Sequence, residues 1–291
     1  MTEREQKIQK LKNYFEKRDD IVMAFLFGSQ AEEGRTHGHS DWDIGAYFTP
    51  TTENRVEWEE QGREYPEEHT VWDDCIRILN TDDVDLIVLN RAPASIADSA
   101  IRGIPLTMKD RGLFLDFMLI VTREAEDYRR CVNEFYEIAQ RSLSLTEKDK
   151  TILVKTLYFL EQQVRLYEYF RQISANDYAE DVHKRNDVER WIENTMNALI
   201  NTSKIVLGSQ KRMIPETYRQ FLDRAASFFK LDRDVSQKIQ GWADLRNILA
   251  HEYLEIRWKR IEVFIKESEP VIRQFIDATR MFTETNAPVQ K

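Results

Sequence analysis

Cysteine is nearly missing from this 291-residue chain: Cys75 and Cys131 are the only two, and neither has a metal-ligand partner at close spacing. That excludes a disulfide scaffold and a cysteine-based zinc site, and both residues read as buried, reduced thiols. Long hydrophobic runs are missing too. A membrane-spanning helix needs roughly 18 or more apolar residues, and the longest run here, around 113–121, is interrupted by Asp116. Residues 1–7 are charged and lack the apolar stretch of a secretory signal, so no membrane association and a cytoplasmic address are expected. No internal repeat or low-complexity tract is present. Glycine is scarce beyond residue 111, where only Gly112, Gly208 and Gly241 occur.

An excess of basic charge is also lacking. The net charge is −9, which argues against indiscriminate binding of nucleic acid. The charge is uneven. Residues 1–145 hold 18 Lys and Arg against 29 Asp and Glu, whereas residues 146–291 hold 24 against 22. Only the second half is suited to face a polyanion such as RNA, and there through a local patch.

With 42% hydrophobic and 32% charged residues the chain has material for two soluble domains. The pattern predicts a helix over 3–18, with Ile8, Leu11 and Phe15 at helical spacing. Ile21–Phe27 is a short unbroken apolar run, as in a buried central strand. Two further strands are expected over 43–48 and 84–89, with an acidic, aromatic surface excursion over 51–69 between them. A short helix over 93–102 and an edge strand over 104–108 complete a small mixed α/β unit. From Gly112 onward strand signals vanish and amphipathic segments follow at 111–142, 147–173, 182–207, 215–229, 235–252 and 257–283. Gly208 sits where a helix C-terminus is expected, Pro215-Glu216 suits the first turn of a new helix, and Thr146 is an expected N-cap. The expected fold class is therefore α+β: a small mixed-sheet domain over 1–145, then an all-α bundle over 146–291.

Chemistry concentrates in two places. The first strand delivers Gly28-Ser29 to its C-terminal end, where a glycine lets a phosphate approach the backbone and a serine hydroxyl can hold its oxygens. Eleven residues later comes Ser40-Asp41-Trp42-Asp43. On a strand, residues i and i+2 share a face, so Asp41 and Asp43 converge. Two adjacent carboxylates repel unless a cation lies between them, and Mg²⁺ bridged to substrate phosphates meets that need. Asp85, near the start of a later strand, could add a third ligand and accept a proton from an incoming hydroxyl; a strand-edge acid beside the Asp82-Asp83 turn is the alternative. Gly208-Ser209 has no such acids near it. His37 and His39 alternate with the acid pair, but Mg²⁺ prefers oxygen, and both read as loop residues without a metal role.

Gly28-Ser29, the Asp41/Asp43 pair and Asp85 together resemble the minimal nucleotidyltransferases of the DNA polymerase β superfamily, over about residues 20–110. The spacing between Gly-Ser and the acid pair is one residue longer than usual there. The resemblance implies ATP as substrate and Mg²⁺ as cofactor, with Gly28, Ser29 and Ser40 toward the nucleotide and Asp41, Asp43 and Asp85 as catalytic metal ligands.

The second place is Arg246-Asn247-Ile248-Leu249-Ala250-His251-Glu252-Tyr253. Trp242, Leu245 and Leu249 form the stripe expected to be buried. Asn247 and His251 are four apart and neighbours on one helix face, while Arg246 and His251 stand about 140° apart around an ideal helix. A histidine titrating near neutral pH beside a guanidinium can cleave a phosphodiester, the one shuttling protons and the other holding phosphorane charge. A helix end stabilised by its own dipole explains the same residues. One histidine serves poorly as both acid and base, so two copies meeting in a homodimer through the helical domain make the better site.

Here the context, from Glu189-Arg190-Trp191 through Pro215-Glu216-Thr217-Tyr218-Arg219 to Leu245–Tyr253, resembles HepT-type HEPN ribonucleases over roughly 147–275. The resemblance implies Arg246 and His251 as the ribonuclease pair, Asn247 in support, RNA as substrate, and Tyr253 as the tyrosine that an MntA-type nucleotidyltransferase adenylylates to silence the toxin. Toxin and antitoxin would then share one chain. A small-molecule nucleotidyltransferase of the aminoglycoside type, its acidic stretch 57–74 attracting a polycation, is the second reading; a scaffold with two degenerate sites is the third.

Overall fold

The computed structural model describes residues 2–31, 41–51, 56–58, 63–141, 145–250 and 258–286, without the side chains of 244, 246–248 and 250. Helix α1 (Glu3–Glu16) opens on a capping box: the Thr2 hydroxyl accepts from the Glu5 amide, and the Glu5 carboxylate accepts from the Thr2 amide. Strand β1 (Ile21–Phe27) runs into a single 3₁₀ turn, Gly28–Gln30, and β2 (Trp42–Phe48) pairs antiparallel to it. After α2 (Glu68–Leu79), β3 (Val84–Val88) lies parallel to β2. Helix α3 (Ala94–Ile101) leads to β4 (Ile104–Met108), antiparallel to β1. The sheet order β3-β2-β1-β4 places the most apolar strand, β1, inside and β4 at an edge, as expected.

The two faces of this sheet follow from the two-residue period of its strands. Ala24, Leu26, Ile44 and Ala46 share a core with Leu11 and Phe15 of α1 and Val71, Cys75 and Leu79 of α2. The alternate residues turn the other way. Phe25 meets Phe114 at 5.8 Å and Tyr47 meets Phe117 at 5.0 Å between ring centroids, while Gly45 lies against Leu89 and Ala100.

Helix α2 was not expected. Its buried residues Val71, Cys75 and Leu79 recur every four positions, and Asn80 closes it in the left-handed conformation (φ 53°). The stretch before it is no free surface excursion either. Glu57 is 1% exposed, accepts from the Thr51 amide at 2.9 Å, and is paired with Arg63. Trp58 Nε1 donates to the Ala92 carbonyl at 3.0 Å. These polar groups are buried because each has found a partner.

Helix α4 (Arg111–Arg141) is followed by α5 (Glu147–Arg165), α6 (Tyr167–Phe170), α7 (Ala175–Glu180), α8 (Val182–Ser209), α9 (Tyr218–Phe228), α10 (Arg233–Ala250) and α11 (Trp258–Thr285). Thr146 caps α5 as expected, accepting from the Asp149 amide. The single helix expected over 147–173 is broken at Leu166. Beyond the break Tyr167 and Phe170 are buried, and the Phe170 ring stacks on Trp191 at 4.3 Å. Gly208 lies inside the last turn of α8, not beyond it. It is pressed against Ile138, which a Cβ there would approach to 3.1 Å, and the left-handed residue is Lys211. Pro215 and Glu216 precede α9, whose N-cap is Thr217.

The chain divides into compact units at Met1–Asp127 and Tyr128–Lys291, within α4 and not near residue 145. The apolar partners along α4 explain the position. Phe114 and Phe117 pack on the sheet, whereas Cys131 and Phe135 belong to the core of the helical unit with Trp191, Phe221 and Phe264. The outcome is an α+β chain, a mixed four-stranded sheet domain followed by a helical one. Both cysteines are buried and unlinked, and burial pushes the Cys75 thiol up to about 12. Among the described residues no helix is long and apolar enough to cross a membrane.

Because Phe117 and Phe135 sit in different cores, truncating each is expected to lower the stability of a different unit by about 3–5 kcal/mol. Urea unfolding of Phe117→Ala and Phe135→Ala, followed by hydrogen exchange resolved along the chain, checks this. Equal loss of protection across both units would contradict it.

Candidate active site

The end of β1 and the beginnings of β2 and β3 meet at one edge of the sheet. Strand register brings the acids together: Asp43 on β2 is opposite Phe27, the last residue of β1, and beside Asp85 on β3. Neighbouring residues in register point to the same face, so the two carboxylates are side by side. Asp41 and Asp85 are exposed, while Asp43 is half-buried.

Gly28 closes the site against Asp43. It takes φ +67°, and a Cβ there would fall well inside van der Waals contact with Asp43 Oδ2 and 2.9 Å from its Cγ. Both the backbone conformation and the space therefore require glycine. The 3₁₀ turn that follows has the Ala31 amide donating to the Gly28 carbonyl at 3.0 Å, and Ser29 is its middle residue. The carbonyl of Gln30 is held from another element: Arg4 Nε and Nη2 of α1 both donate to it, at 2.9 and 2.6 Å. No local sequence signal marks that contact, because its partners are 26 positions apart.

Partial burial, followed by the charges of Asp85 and Asp41, raises the proton affinity of Asp43 above the ordinary carboxylate range. All the donors are carboxylate oxygens, the ligand type that a hard divalent cation takes. Among the described residues no three metal-ligating groups are gathered tightly enough to hold an ion as they stand. The donor chemistry fits such a cation.

Of the expected site residues, the structure brings together Gly28, Asp41, Asp43 and Asp85, with Ser29 next to Gly28 in the turn. Ser40, His37, His39, His251 and Tyr253 lie outside the described residues, as do the side chains of Arg246 and Asn247. The helix beneath Arg246 is described. Trp242 and Leu245 of α10 are buried and Leu249 packs against the same core, with Trp242 meeting Phe264 at 5.3 Å.

A four-stranded sheet with a Gly-Ser turn and clustered acids at one edge, followed by a helical domain, has the layout of a nucleotidyltransferase joined to a HEPN-type bundle. Comparison with known families agrees. Residues 9–112 match the family "Polymerase beta, Nucleotidyltransferase", and residues 159–279 match "Ribonuclease HepT-like". The first domain thus matches a polymerase β-type nucleotidyltransferase family and the second a HepT-like ribonuclease family, each over less than half of the chain. No curated protein matches the chain. Among solved structures, a chain from the "Crystal structure of the toxin-antitoxin with AMP-PNP" aligns with 45% of this chain and 98% of its own, at 16% identity and a TM-score of 0.41, too loose an overlap to carry an argument.

Two substitutions are expected to act in opposite directions. Gly28→Ala forces a strained left-handed residue into the Asp43 carboxylate and should cost about 1–3 kcal/mol by urea unfolding. Asp43→Asn removes the raised acid. Such a group contributes stability that is full below its ordinary pKa and is lost as pH rises through its raised one. Asp43→Asn should therefore raise the thermal midpoint at neutral pH in chelator, and the gain should vanish below about pH 4. A lower midpoint at neutral pH would contradict it.

Proposed function

We propose that this chain is a toxin and its antitoxin fused: an ATP- and Mg²⁺-dependent adenylyltransferase that transfers AMP to Tyr253 of its own HEPN ribonuclease domain and silences it. The observation that carries this reading is the register that sets Asp85 beside Asp43, with Gly28 pressed against the same carboxylate. Asp41, Asp43 and Asp85 would hold Mg²⁺, which supplies charge neutralisation to the triphosphate when bound. The Gly28–Gln30 turn, the Ser29 hydroxyl and Ser40 bind phosphate oxygens and orient the α-phosphorus. The Tyr253 phenol oxygen attacks that phosphorus and a P–O bond forms. The bond to the β-phosphate breaks and pyrophosphate leaves, while Asp85 takes the phenolic proton.

In the second domain Arg246 and His251 cleave RNA without a metal, with Asn247 in support. The histidine moves protons and the guanidinium holds the charge of the phosphorane. AMP on Tyr253 places bulk and negative charge beside that pair and excludes an RNA phosphate. Two copies joined through the helical domain supply the second histidine, in the cytoplasm where RNA and ATP are both present.

The small-molecule reading finds less support. Three acids of the stretch that would attract a polycation are held within the fold: Glu57 by Arg63, Glu68 by Arg91, and Asp74 by Tyr14 and Arg77.

In purified protein, Asp41→Ala/Asp43→Ala is expected to unmask cleavage of RNA in the presence of chelator, and adding Arg246→Ala or His251→Ala should reduce that cleavage more than about 100-fold. Intact RNA with the double variant would contradict the silencing scheme.

A further inference from the structure

We infer that Arg4 is a positioning residue of the nucleotide site: its guanidinium holds the Gly28–Gln30 turn in the form that receives the polyphosphate. This rests on the nucleotidyltransferase reading and adds to it a residue outside the stretch, 9–112, that the family match covers. Arg4 is in the first turn of α1, where a cation is opposed by the helix dipole and Glu3 and Glu5 are the favoured neighbours. Local helix energetics therefore do not account for an arginine at this position, whereas its contact does. Nε and Nη2 converge on one acceptor, the Gln30 carbonyl, at 2.9 and 2.6 Å. Among the described residues no carboxylate pairs with it.

The contact matters because of what the turn carries. Gly28 lies so near Asp43 that a Cβ there would fall inside van der Waals contact with the carboxylate, so a shift of the turn is felt by the acid on which the charges of Asp85 and Asp41 also act. A single 3₁₀ turn is weak by itself, and the forked bond from Arg4 fastens its far end to α1. One helical turn later, Lys7 Nζ stands 6.0 Å from the centroid of the Trp42 ring, the residue between Asp41 and Asp43. The first two turns of α1 thus brace both the phosphate-side turn and the start of the metal-side strand. A fork of two N–H groups on one oxygen is a geometry that lysine does not reproduce.

The test is displacement of a fluorescent ATP analogue from the full chain by ATP and by adenosine, with Mg²⁺, for wild type, Arg4→Ala and Arg4→Lys, alongside thermal midpoints. Arg4→Ala is expected to weaken ATP by about tenfold and leave adenosine unchanged. Its midpoint should stay near the wild-type value, because removing a cation from a helix N-terminus offsets the lost contact. Arg4→Lys should recover only part of the ATP affinity. Wild-type ATP affinity in Arg4→Ala, equal losses for ATP and adenosine, or full recovery in Arg4→Lys would each overturn the role. Should Arg4→Ala not fold, Arg4→Lys decides alone, since wild-type affinity there removes the need for the fork. If wild type itself binds no ATP, the nucleotidyltransferase reading fails first, and that result is distinct from the others.

Discussion

Asp43 is held next to two like charges by a strand register that has no freedom to separate them. Its parallel neighbour is Asp85, Asp41 is two residues before it, and Gly28 fills the space on the β1 side. The folded chain keeps this arrangement although it raises the proton affinity of Asp43, a cost that a purely structural sheet edge would avoid by using an apolar or amide side chain. Much of the surrounding fold serves to hold it. The interior position of β1 fixes where the turn emerges, and α1 fastens that turn through Arg4. The aromatic contacts of α4 with Phe25 and Tyr47 cover the face to which Asp43 also points.

The second domain obeys a different constraint. Its core is built around Trp191, which contacts Phe170, Tyr167 and Phe264, and Phe264 in turn meets Trp242 of α10. Helix α10, which carries Arg246, is thereby seated by the packing of Trp242 and Leu245 in this core. The long α4 takes part in both cores, because Phe114 and Phe117 pack on the sheet and Cys131 and Phe135 belong to the core of the helical unit.

Much of this was legible in the sequence, for identifiable reasons. Ile21–Phe27 is uninterruptedly apolar, and such a run has few fates other than a buried strand. Asp43 and Asp85 stand out as acids in apolar strands, although only the structure shows that they are in register. Helix α2 was hidden because charges at Asp73, Asp74 and Arg77 dilute the four-residue spacing of Val71, Cys75 and Leu79. The break at Leu166 carries no glycine or proline and comes from how Tyr167 and Phe170 pack. The unit boundary within α4 was obscured because a continuous amphipathic helix gives no sign of which core each turn enters. The Arg4 contact joins residues too distant for any local pattern to connect.

The central claim is that the first domain modifies the second on one tyrosine. Intact-protein mass spectrometry with peptide mapping, on the purified full chain before and after incubation with ATP and Mg²⁺, tests this most directly. The account predicts a gain of whole AMP units, mapped to Tyr253 and absent from Tyr253→Phe and from Asp41→Ala/Asp43→Ala. No gain from protein shown to be unmodified at the start, or the same gain in Tyr253→Phe, would contradict it.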